Sequence, residues 1–386
     1  MLRVAGRHAK RALSKAPCGM SGVLRSFVYV EIHQQTSFSA AMFRLDQSLM
    51  KKVLLKKAIL LTMTIGSAIV SENLSAGNAA DSFADKGKSA SIVGTTKLNI
   101  EVPVSGYLSS ESKRHYISTM DSFFNDLEKL LDRARAAYPA KIEDVMIGGV
   151  RAKLVIPENG ISKQNRDRIL VNVHGGYFFC SETEALLESI PIASAARIKV
   201  ISIDYRCSPD NKFPAAIKDV TAVYKSLLTK YAPQHVGIYG CSAGGVLTAE
   251  SIAWFQREKL PAPGAIGLFC GADALMGGDS TYIWGKGPNK APYFDGTDTA
   301  DPVASPTLYP DRLKEFPPTL LVTSSRDALE SSVIVAHTHL VKAGVYAELH
   351  VWEGMGHGFF MDVDIPESKE MYDVTAKFFN THLREN

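Results

Sequence analysis

Several motifs that would place a chain in a large functional class are missing from this sequence. It contains no internal repeat, no P-loop for nucleotide phosphates and no H-E-x-x-H zinc motif. The apolar run near the amino terminus, residues 58–70, is about 13 residues long, whereas a helix needs about 20 to cross a bilayer. These absences argue against a P-loop nucleotide hydrolase, a zinc enzyme of that type and a stable membrane anchor.

Cysteine is also scarce, with five residues in a chain of 386. Four of them lie beyond residue 79, namely Cys180, Cys207, Cys241 and Cys270. In an oxidising compartment four thiols permit three complete pairings. Free buried thiols are the simpler expectation, and the sequence alone leaves the disulfide status of all four open.

Excess positive charge is confined to the amino terminus. Residues 1–79 hold eleven Lys and Arg but three Asp and Glu, a net charge of +8. Subtracting this +8 from the +3 of the whole chain leaves −5 for residues 80–386. That remainder has no basic cluster interleaved with aromatic residues, so nucleic acid is not expected as a partner.

Residues 50–79 have the three regions of a secretory signal peptide. Lysines follow Met50, an apolar run comes next, and small residues precede a cleavage point after Ala79. We therefore expect a start at Met50, a mature chain from Ala80, and a periplasmic or secreted location. No cysteine lies near this point to carry a lipid. Residues 1–49 are interpreted as an upstream extension, with a mitochondrial-type presequence as the alternative.

A strand-turn-helix signal lies at Gly240 to Gly244, where G-x-S-x-G follows an apolar stretch. In such an elbow the central residue, Ser242, has a strained backbone, and glycines two positions on either side avoid clashes. Its hydroxyl is then exposed as a nucleophile, and the Ala243 amide lies at a helix N-terminus that favours negative charge. A glycine-rich turn without chemistry is the alternative. Cys241 is the less favoured candidate for the nucleophile, because the elbow exposes only its central side chain, that of Ser242.

An oxyanion loop is predicted upstream, where a buried strand ends in His174-Gly175-Gly176. Glycines let the chain pass close to the reacting carbon, so we expect the Gly175 and Gly176 amides to act with the elbow amide. His174 is expected to hold the turn by hydrogen bonding rather than to serve as the base. The next residues, Tyr177 and Phe178, are candidates for an apolar substrate pocket, with core packing as the alternative.

The base and the acid that orients it are expected nearer the carboxyl terminus. Asp327 ends a predicted strand, and His357 lies on a loop just after another. With Ser242 they follow the Ser…Asp…His order of α/β-hydrolases, which differs from the chymotrypsin and subtilisin orders. Taken singly, Asp327 could cap the helix that begins near Leu329, and His357 could be a structural histidine. The order of Ser242, Asp327 and His357 along the chain favours a catalytic triad.

These motifs resemble the hormone-sensitive-lipase-like branch of α/β-hydrolase esterases over residues 150–385. The resemblance rests on His174-Gly175-Gly176, Asp204-Tyr205-Arg206 with Phe213-Pro214-Ala215-Ala216, Gly240 to Gly245, Asp327-Ala328-Leu329 and Gly356 to Phe359. It implies hydrolysis of short to medium acyl esters, no metal, no organic cofactor and a helical cap over the site.

The sequence departs from this family pattern at two positions. Tyr177 stands where the family commonly has a third glycine, and Cys241 stands where it commonly has Asp. In the family's sheet order, the strands before Cys180 and Cys207 are neighbours, as are those near Cys241 and Cys270. Neither pairing follows from this, because a disulfide needs Cα atoms within about 7 Å.

Short apolar strands alternate with amphipathic helices beyond residue 150. Strands are predicted near residues 152–156, 168–173, 199–205, 236–239, 265–269, 318–323 and 347–352. Helices are predicted near residues 190–197, 214–231, 243–259, 332–343 and 369–383. The alternation predicts a mainly parallel sheet with helices on both faces, and the resemblance implies the eight-stranded sheet of the α/β-hydrolase fold. Catalytic groups would gather at the carboxyl ends of the strands.

We predict an amino-terminal segment and cap helix over residues 80–140 and the catalytic domain over residues 141–386. A helix over residues 110–137 has one apolar face, and an insertion near residues 272–316 is rich in glycine and proline. Both are interpreted as cap elements. Candidate pocket walls, with ordinary packing as the alternative, are Tyr282, Trp284, Tyr293 and Phe294.

The predicted protein is a serine carboxylesterase or lipase-like hydrolase that acts on a small-molecule ester. A lactonase and a serine peptidase on the same fold are the alternative hydrolases. A non-catalytic ligand-binding protein is the alternative outside enzymes, although such proteins typically lose a triad member. The sequence permits a homodimer and does not define the natural substrate.

Overall fold

A computed structural model describes residue 109 and residues 126–274, 278–280 and 291–383. The predicted signal peptide, the upstream extension and most of residues 80–140 lie outside the described residues, as do Tyr282 and Trp284. Within the described ranges, no helix combines the length and the apolar character that a membrane span requires.

One sheet of eight strands organises the described chain. The strands are β1 (Ala140–Ile147), β2 (Val150–Pro157), β3 (Ile169–Asn172), β4 (Lys199–Ile203), β5 (Val236–Cys241), β6 (Ala265–Phe269), β7 (Thr319–Arg326) and β8 (Ala347–Gly356). Their order across the sheet is β1-β2-β4-β3-β5-β6-β7-β8. β2 pairs antiparallel with β1 and β4, and all other neighbours are parallel. The predicted α/β-hydrolase sheet is confirmed.

Helices cover both faces of this sheet. They are α1 (Leu127–Ala137), α2 (Glu182–Ala196), α3 (Ala215–Leu227), α4 (Ala243–Arg257), the short α5 (Pro310–Leu313), α6 (Glu330–Lys342) and α7 (Pro366–His382). Single 3₁₀ turns occur at Lys163–Asn165, Pro233–His235, Pro292–Phe294, Pro306–Leu308 and Phe359–Met361. Residues of α3, α4 and α6 join one buried apolar cluster, and residues of α1, α2 and α7 join a second.

Two elements differ from the prediction. β1 was not predicted, and it forms a hairpin with β2 through Gly148 and Gly149, whose φ angles are 58° and 81°. α2 begins at Glu182 rather than near residue 190, because the Ser181 side chain accepts a hydrogen bond from the Glu184 amide and caps the helix. The helix then continues through a buried proline, so this proline does not mark its start.

The parallel part of the sheet sets the position of the site. β3, β5, β6, β7 and β8 run in one direction, so their carboxyl ends meet at one edge. His174 follows β3, Ser242 follows β5, Asp327 follows β7 and His357 follows β8. Four loops that carry sequence motifs therefore lie at the same sheet edge.

Candidate active site

Ser242 lies in a strained turn between β5 and α4. Its φ is 57° and its ψ is −121°, a combination that L-residues rarely adopt. A Cβ atom at Gly240 would come within 2.1 Å of the Val173 carbonyl oxygen, and one at Gly244 within 1.8 Å of the same oxygen. The elbow therefore requires both glycines because the end of β3 passes directly behind it.

One backbone amide of this elbow is hydrogen-bonded to the sheet, and the next one is free. The Ser242 amide donates to the Phe269 carbonyl of β6 at 2.7 Å, which ties the turn to the neighbouring strand. The Ala243 amide is the first of a 15-residue helix, and no hydrogen bond of the described residues uses it. A free amide at a helix N-terminus is a suitable donor to a developing negative charge.

Asp327 and His357 form a hydrogen-bonded pair at the ends of β7 and β8. The distance from His357 Nδ1 to Asp327 Oδ1 is 2.7 Å, and the Asp327 side chain is fully buried while His357 is 25% exposed. The Leu329 amide also donates to Asp327 Oδ1, at 2.8 Å. This bond closes the turn before α6, whose N-cap is Leu329 and has no side-chain capping bond, so the alternative that Asp327 caps this helix does not apply. Within the described residues no hydrogen bond joins Ser242 to His357, a contact that is often long before substrate binds.

The surroundings of His357 determine its charge. Burial lowers the pKa of the imidazole, but the charge of Asp327 and the hydrogen bond to it raise the pKa, to about 9 overall. A carboxylate beside an imidazole stabilises the protonated ring. This arrangement favours the imidazolium that forms when a histidine accepts a proton from a serine.

The His174 loop is held from both sides. His174 is 2% exposed, its Nδ1 lies 2.8 Å from the Gly175 carbonyl oxygen, and its ring stacks on Tyr205 at 4.4 Å between centroids. The Tyr205 hydroxyl donates to the His174 carbonyl at 2.9 Å. Burial lowers the pKa of His174. The predicted turn-holding role of His174 is confirmed.

Gly175 does not present its amide to the reacting centre. This N–H donates to Oε1 of the buried Glu188 at 2.7 Å, so the prediction of Gly175 as an oxyanion donor is wrong. Gly176 and Tyr177 have φ angles of 95° and 54°, and no hydrogen bond of the described residues uses their amides. The amide of Tyr177 is thus a candidate donor that the sequence motifs did not indicate, because a tyrosine after His-Gly-Gly suggests a pocket side chain.

Known proteins similar to this chain share its fold. Residues 170–361 match a family described as alpha/beta hydrolase fold. An acetyl-hydrolase of Streptomyces hygroscopicus is 27% identical over 275 residues, covering 66% of this chain and 89% of that protein. A versiconal hemiacetal acetate esterase of Dothistroma septosporum is 27% identical over 227 residues, covering 52% of this chain and 69% of that protein.

Solved structures give the same result. Esterase E25 superimposes with a TM-score of 0.62 at 29% identity, and the match covers 80% of this chain and 100% of that chain. An esterase from the bacterial hormone-sensitive lipase family gives a TM-score of 0.58 at 25% identity, over 67% of this chain and 99% of that one. The chain is a hormone-sensitive-lipase-like α/β-hydrolase. It is a serine carboxylesterase-like enzyme, as the sequence motifs predicted.

The aromatic residues of this esterase divide into core and site. Phe178 is 1% exposed and stacks on Tyr293 at 4.8 Å between centroids, and Phe294 meets it edge-on at 5.2 Å. The prediction of Phe178 as a pocket residue is therefore wrong, and for Tyr293 and Phe294 ordinary packing applies. Tyr177 is half-buried and packs beside Phe179, so it remains a candidate pocket wall.

The four cysteines of the esterase domain fall into two pairs. Cys180 and Cys207 form a disulfide with Cα atoms 5.5 Å apart, so the expectation of free thiols is wrong for this pair. The bridge ties the end of the oxyanion loop to the loop after β4. Cys241 and Cys270 are free and buried, as expected for them.

One of these thiols approaches the triad residues. Cys270, Asp327 and His357 each bring a potential ligand atom to within 4.8 Å of one another. Thiol, carboxylate and imidazole are all zinc ligands, but here Asp327 and His357 are joined to each other by a hydrogen bond. The pair is arranged for proton transfer between His357 and a substrate, with Asp327 orienting the ring.

Proposed function

We propose that this esterase hydrolyses short to medium acyl esters by two-step acyl transfer through Ser242. The observation that carries the proposal is the 2.7 Å hydrogen bond from His357 to the buried Asp327, at the same sheet edge as the strained Ser242. A nucleophile, a base and an orienting acid in this order are the elements of a serine hydrolase.

The proposed steps account for every proton. The Ser242 hydroxyl attacks the ester carbonyl while His357 takes its proton, and His357 then returns that proton to the leaving alkoxide as the ester C–O bond breaks. Water attacks the acyl-enzyme, loses a proton to His357, and releases the acid as Ser242 is reprotonated. Asp327 holds the imidazole in the required tautomer and stabilises its charged form.

The free amides supply the oxyanion hole in this proposal. No acceptor among the described residues is bonded to the amide N–H of Gly176, Tyr177 or Ala243. These three residues follow the carboxyl ends of β3 and β5. Each donor that meets the oxyanion is expected to contribute about 3 kcal/mol to stabilisation of the transition state.

Acetyl esters are the proposed starting substrates. Two relatives are named for acetyl groups, the acetyl-hydrolase of Streptomyces hygroscopicus and the acetate esterase of Dothistroma septosporum. The half-buried Tyr177 beside the oxyanion loop is compatible with a small acyl or alcohol group at that point. A short acyl chain therefore fits best.

The test is hydrolysis of p-nitrophenyl esters from acetate to palmitate by the full chain. We expect a maximum at short or medium acyl chains, and a loss of about 10⁴-fold or more in kcat for Ser242→Ala. Ser194→Ala, at the far end of α2, is the matched control and should retain parent activity. Equal activity in Ser242→Ala and the parent would contradict the proposal.

We also propose that the enzyme is exported and begins at Ala80. The signal-peptide pattern of residues 50–79 supports this, and so does the Cys180–Cys207 disulfide, since such bonds persist in oxidising compartments. Amino-terminal sequencing of protein recovered from the periplasm or medium of a bacterial host tests the proposal. Recovery of a chain that retains residues before Met50 would overturn it.

A further inference from the structure

A buried carboxyl group lies beneath the oxyanion loop without a part in the chemistry above. Glu188 is on α2, one turn after Glu184, and it is 1% exposed. Acidic side chains are almost never buried so completely unless they are paired or hydrogen-bonded. Its contacts therefore indicate what it does.

Three N–H groups donate to this carboxyl. Oε1 accepts from the Gly175 amide at 2.7 Å, and Oε2 accepts from Asn172 Nδ2 at 2.8 Å and from the Cys241 amide at 3.3 Å. Asn172 ends β3, Gly175 belongs to the oxyanion loop, and Cys241 immediately precedes the nucleophile. A single side chain thus joins both loops that must meet at the reacting carbon.

We propose that Glu188 is a positioning residue, which holds the oxyanion loop at a fixed distance from the nucleophile elbow so that amides of both loops meet one oxyanion. This inference rests on the proposed function. It also explains why the Gly175 amide is directed away from the site: that N–H is part of the clamp.

The space between the two loops leaves little tolerance. A Cβ atom at Gly175 would lie 2.9 Å from the Cys241 carbonyl oxygen and 3.2 Å from Glu188 Oε1. The loop, the elbow and the carboxyl are therefore in direct contact. Loss of one hydrogen bond in this group would change the separation of the loops, and small misplacements of reacting groups reduce rate steeply.

The ionised form of Glu188 matches its partners, since all three are donors. Burial raises the pKa of Glu188, the hydrogen bonds from Gly175, Asn172 and Cys241 lower it, and the charge of Glu184 raises it, to about 8 overall. The Glu188→Gln substitution keeps the shape but turns an acceptor into a donor. Its amide nitrogen would then face another N–H group.

The experiment compares Glu188→Gln with the parent enzyme in the full chain. With p-nitrophenyl acetate we expect kcat to fall about 100-fold and KM to stay within about threefold, because positioning is lost rather than substrate binding. Inhibition by an aryl trifluoromethyl ketone, whose tetrahedral adduct places an oxyanion in the hole, should weaken by a similar factor. If Glu188 had a purely structural role, its substitution would leave this inhibition constant unchanged once the enzyme concentration is corrected for the folded fraction.

Ser189→Ala is the matched control. Ser189 is buried next to Glu188 and its hydroxyl lies 3.4 Å from Asn172 Oδ1, but it bonds neither the loop nor the elbow. We expect a lower melting temperature with kcat and the inhibition constant unchanged. If Glu188→Gln does not fold, Glu188→Asp applies the same test, since its shorter carboxylate cannot reach both Gly175 and Cys241.

Failure of the positioning role and failure of the proposed function would give different results. If Glu188→Gln or Glu188→Asp behaves like Ser189→Ala while Ser242→Ala is inactive, the positioning role is overturned and the triad stands. If Ser242→Ala retains activity, the proposed function itself fails. A joint fall in kcat and in ketone affinity for the Glu188 variants supports the inference.

Discussion

The two loops that face each other at the site are built in different ways. The elbow is fixed by its own backbone, because Ser242 has a strained φ and the flanking glycines fit against the Val173 carbonyl. The oxyanion loop is fixed by side chains from other elements, among them Glu188 of α2 and Tyr205 after β4. A constraint within one turn is visible in the sequence, whereas a constraint from distant side chains is not.

Among variants that keep Ser242, the largest effect is expected from Asp327→Asn. This variant leaves both loops in place, so its kcat is the reference against which the loop variants are compared. The amide favours the wrong tautomer of His357, so kcat should fall by about 10⁴-fold. The exposed Asp364→Asn is the control, because Asp364 pairs with Arg133 on the surface. Steady-state kinetics decide, and a loss below tenfold would contradict the orienting role.

The same variant predicts a shift in pH dependence. Neutral His357 is the base, so kcat/KM of the parent should fall as the pH drops through the pKa of His357, which Asp327 raises to about 9. Removing the carboxylate charge lowers this pKa. The acid limb measured for Asp327→Asn should therefore move to lower pH, and an unmoved limb would show that Asp327 does not set the pKa.

Of the two loops, the elbow should tolerate substitution less. In Gly244→Ala the methyl group would lie 1.8 Å from a backbone oxygen, so the turn must open and kcat should fall on the order of 10³-fold, as for a displaced oxyanion donor. Gly149→Ala is the control, since its φ is 81° but no atom lies within 4 Å of an added Cβ. Comparable kinetics for the two variants would contradict the steric account of the elbow.

A smaller effect is expected in the oxyanion loop when one of several supports is removed. Tyr205→Phe deletes the hydrogen bond to the His174 carbonyl but keeps the ring stacked on His174. Loss of this hydrogen bond should lower the free energy of unfolding by about 1 kcal/mol. The remaining supports still hold the loop, so kcat should fall by less than about tenfold. Kinetics and thermal denaturation measure it, and a loss as large as that of Gly244→Ala would mean that the two loops do not differ in tolerance.

The smallest kinetic effect is expected from the disulfide. Replacing Cys180 and Cys207 together by alanine should lower the free energy of unfolding by about 2–4 kcal/mol and leave kcat within about threefold. The reason is that the bridge closes a loop in the unfolded chain while Glu188 and Tyr205 still hold the oxyanion loop. Denaturant unfolding and steady-state kinetics test this, and a large loss of kcat with unchanged stability would contradict it.

The sequence indicated the elements whose cause is local. Gly240 and Gly244 mark the elbow by their lack of side chains, and the strand of residues 265–269 was predicted with the bounds that the structure has. The β1–β2 hairpin was missed, although Gly148 and Gly149 between alternating apolar residues are a turn signal of the same local kind.

The remaining features depend on distant contacts and could not be read from the sequence. Glu188 appears there as one more acidic residue of a helix, and its partners become apparent only when β3, α2 and the elbow are assembled. The core position of Phe178 likewise follows from packing against Tyr293, which is more than a hundred residues away in the chain. The Cys180–Cys207 bridge follows from the adjacency of two loops.

The most direct test of the central claim is to locate the acyl group on the enzyme. The protein would be quenched in acid during turnover of p-nitrophenyl acetate, digested and mapped by mass spectrometry. The account predicts an acetyl group on Ser242 that is absent from Ser242→Ala and accumulates when water attack is slowed. An acetyl group on the neighbouring Cys241, or no covalent adduct under any quench condition, would contradict it.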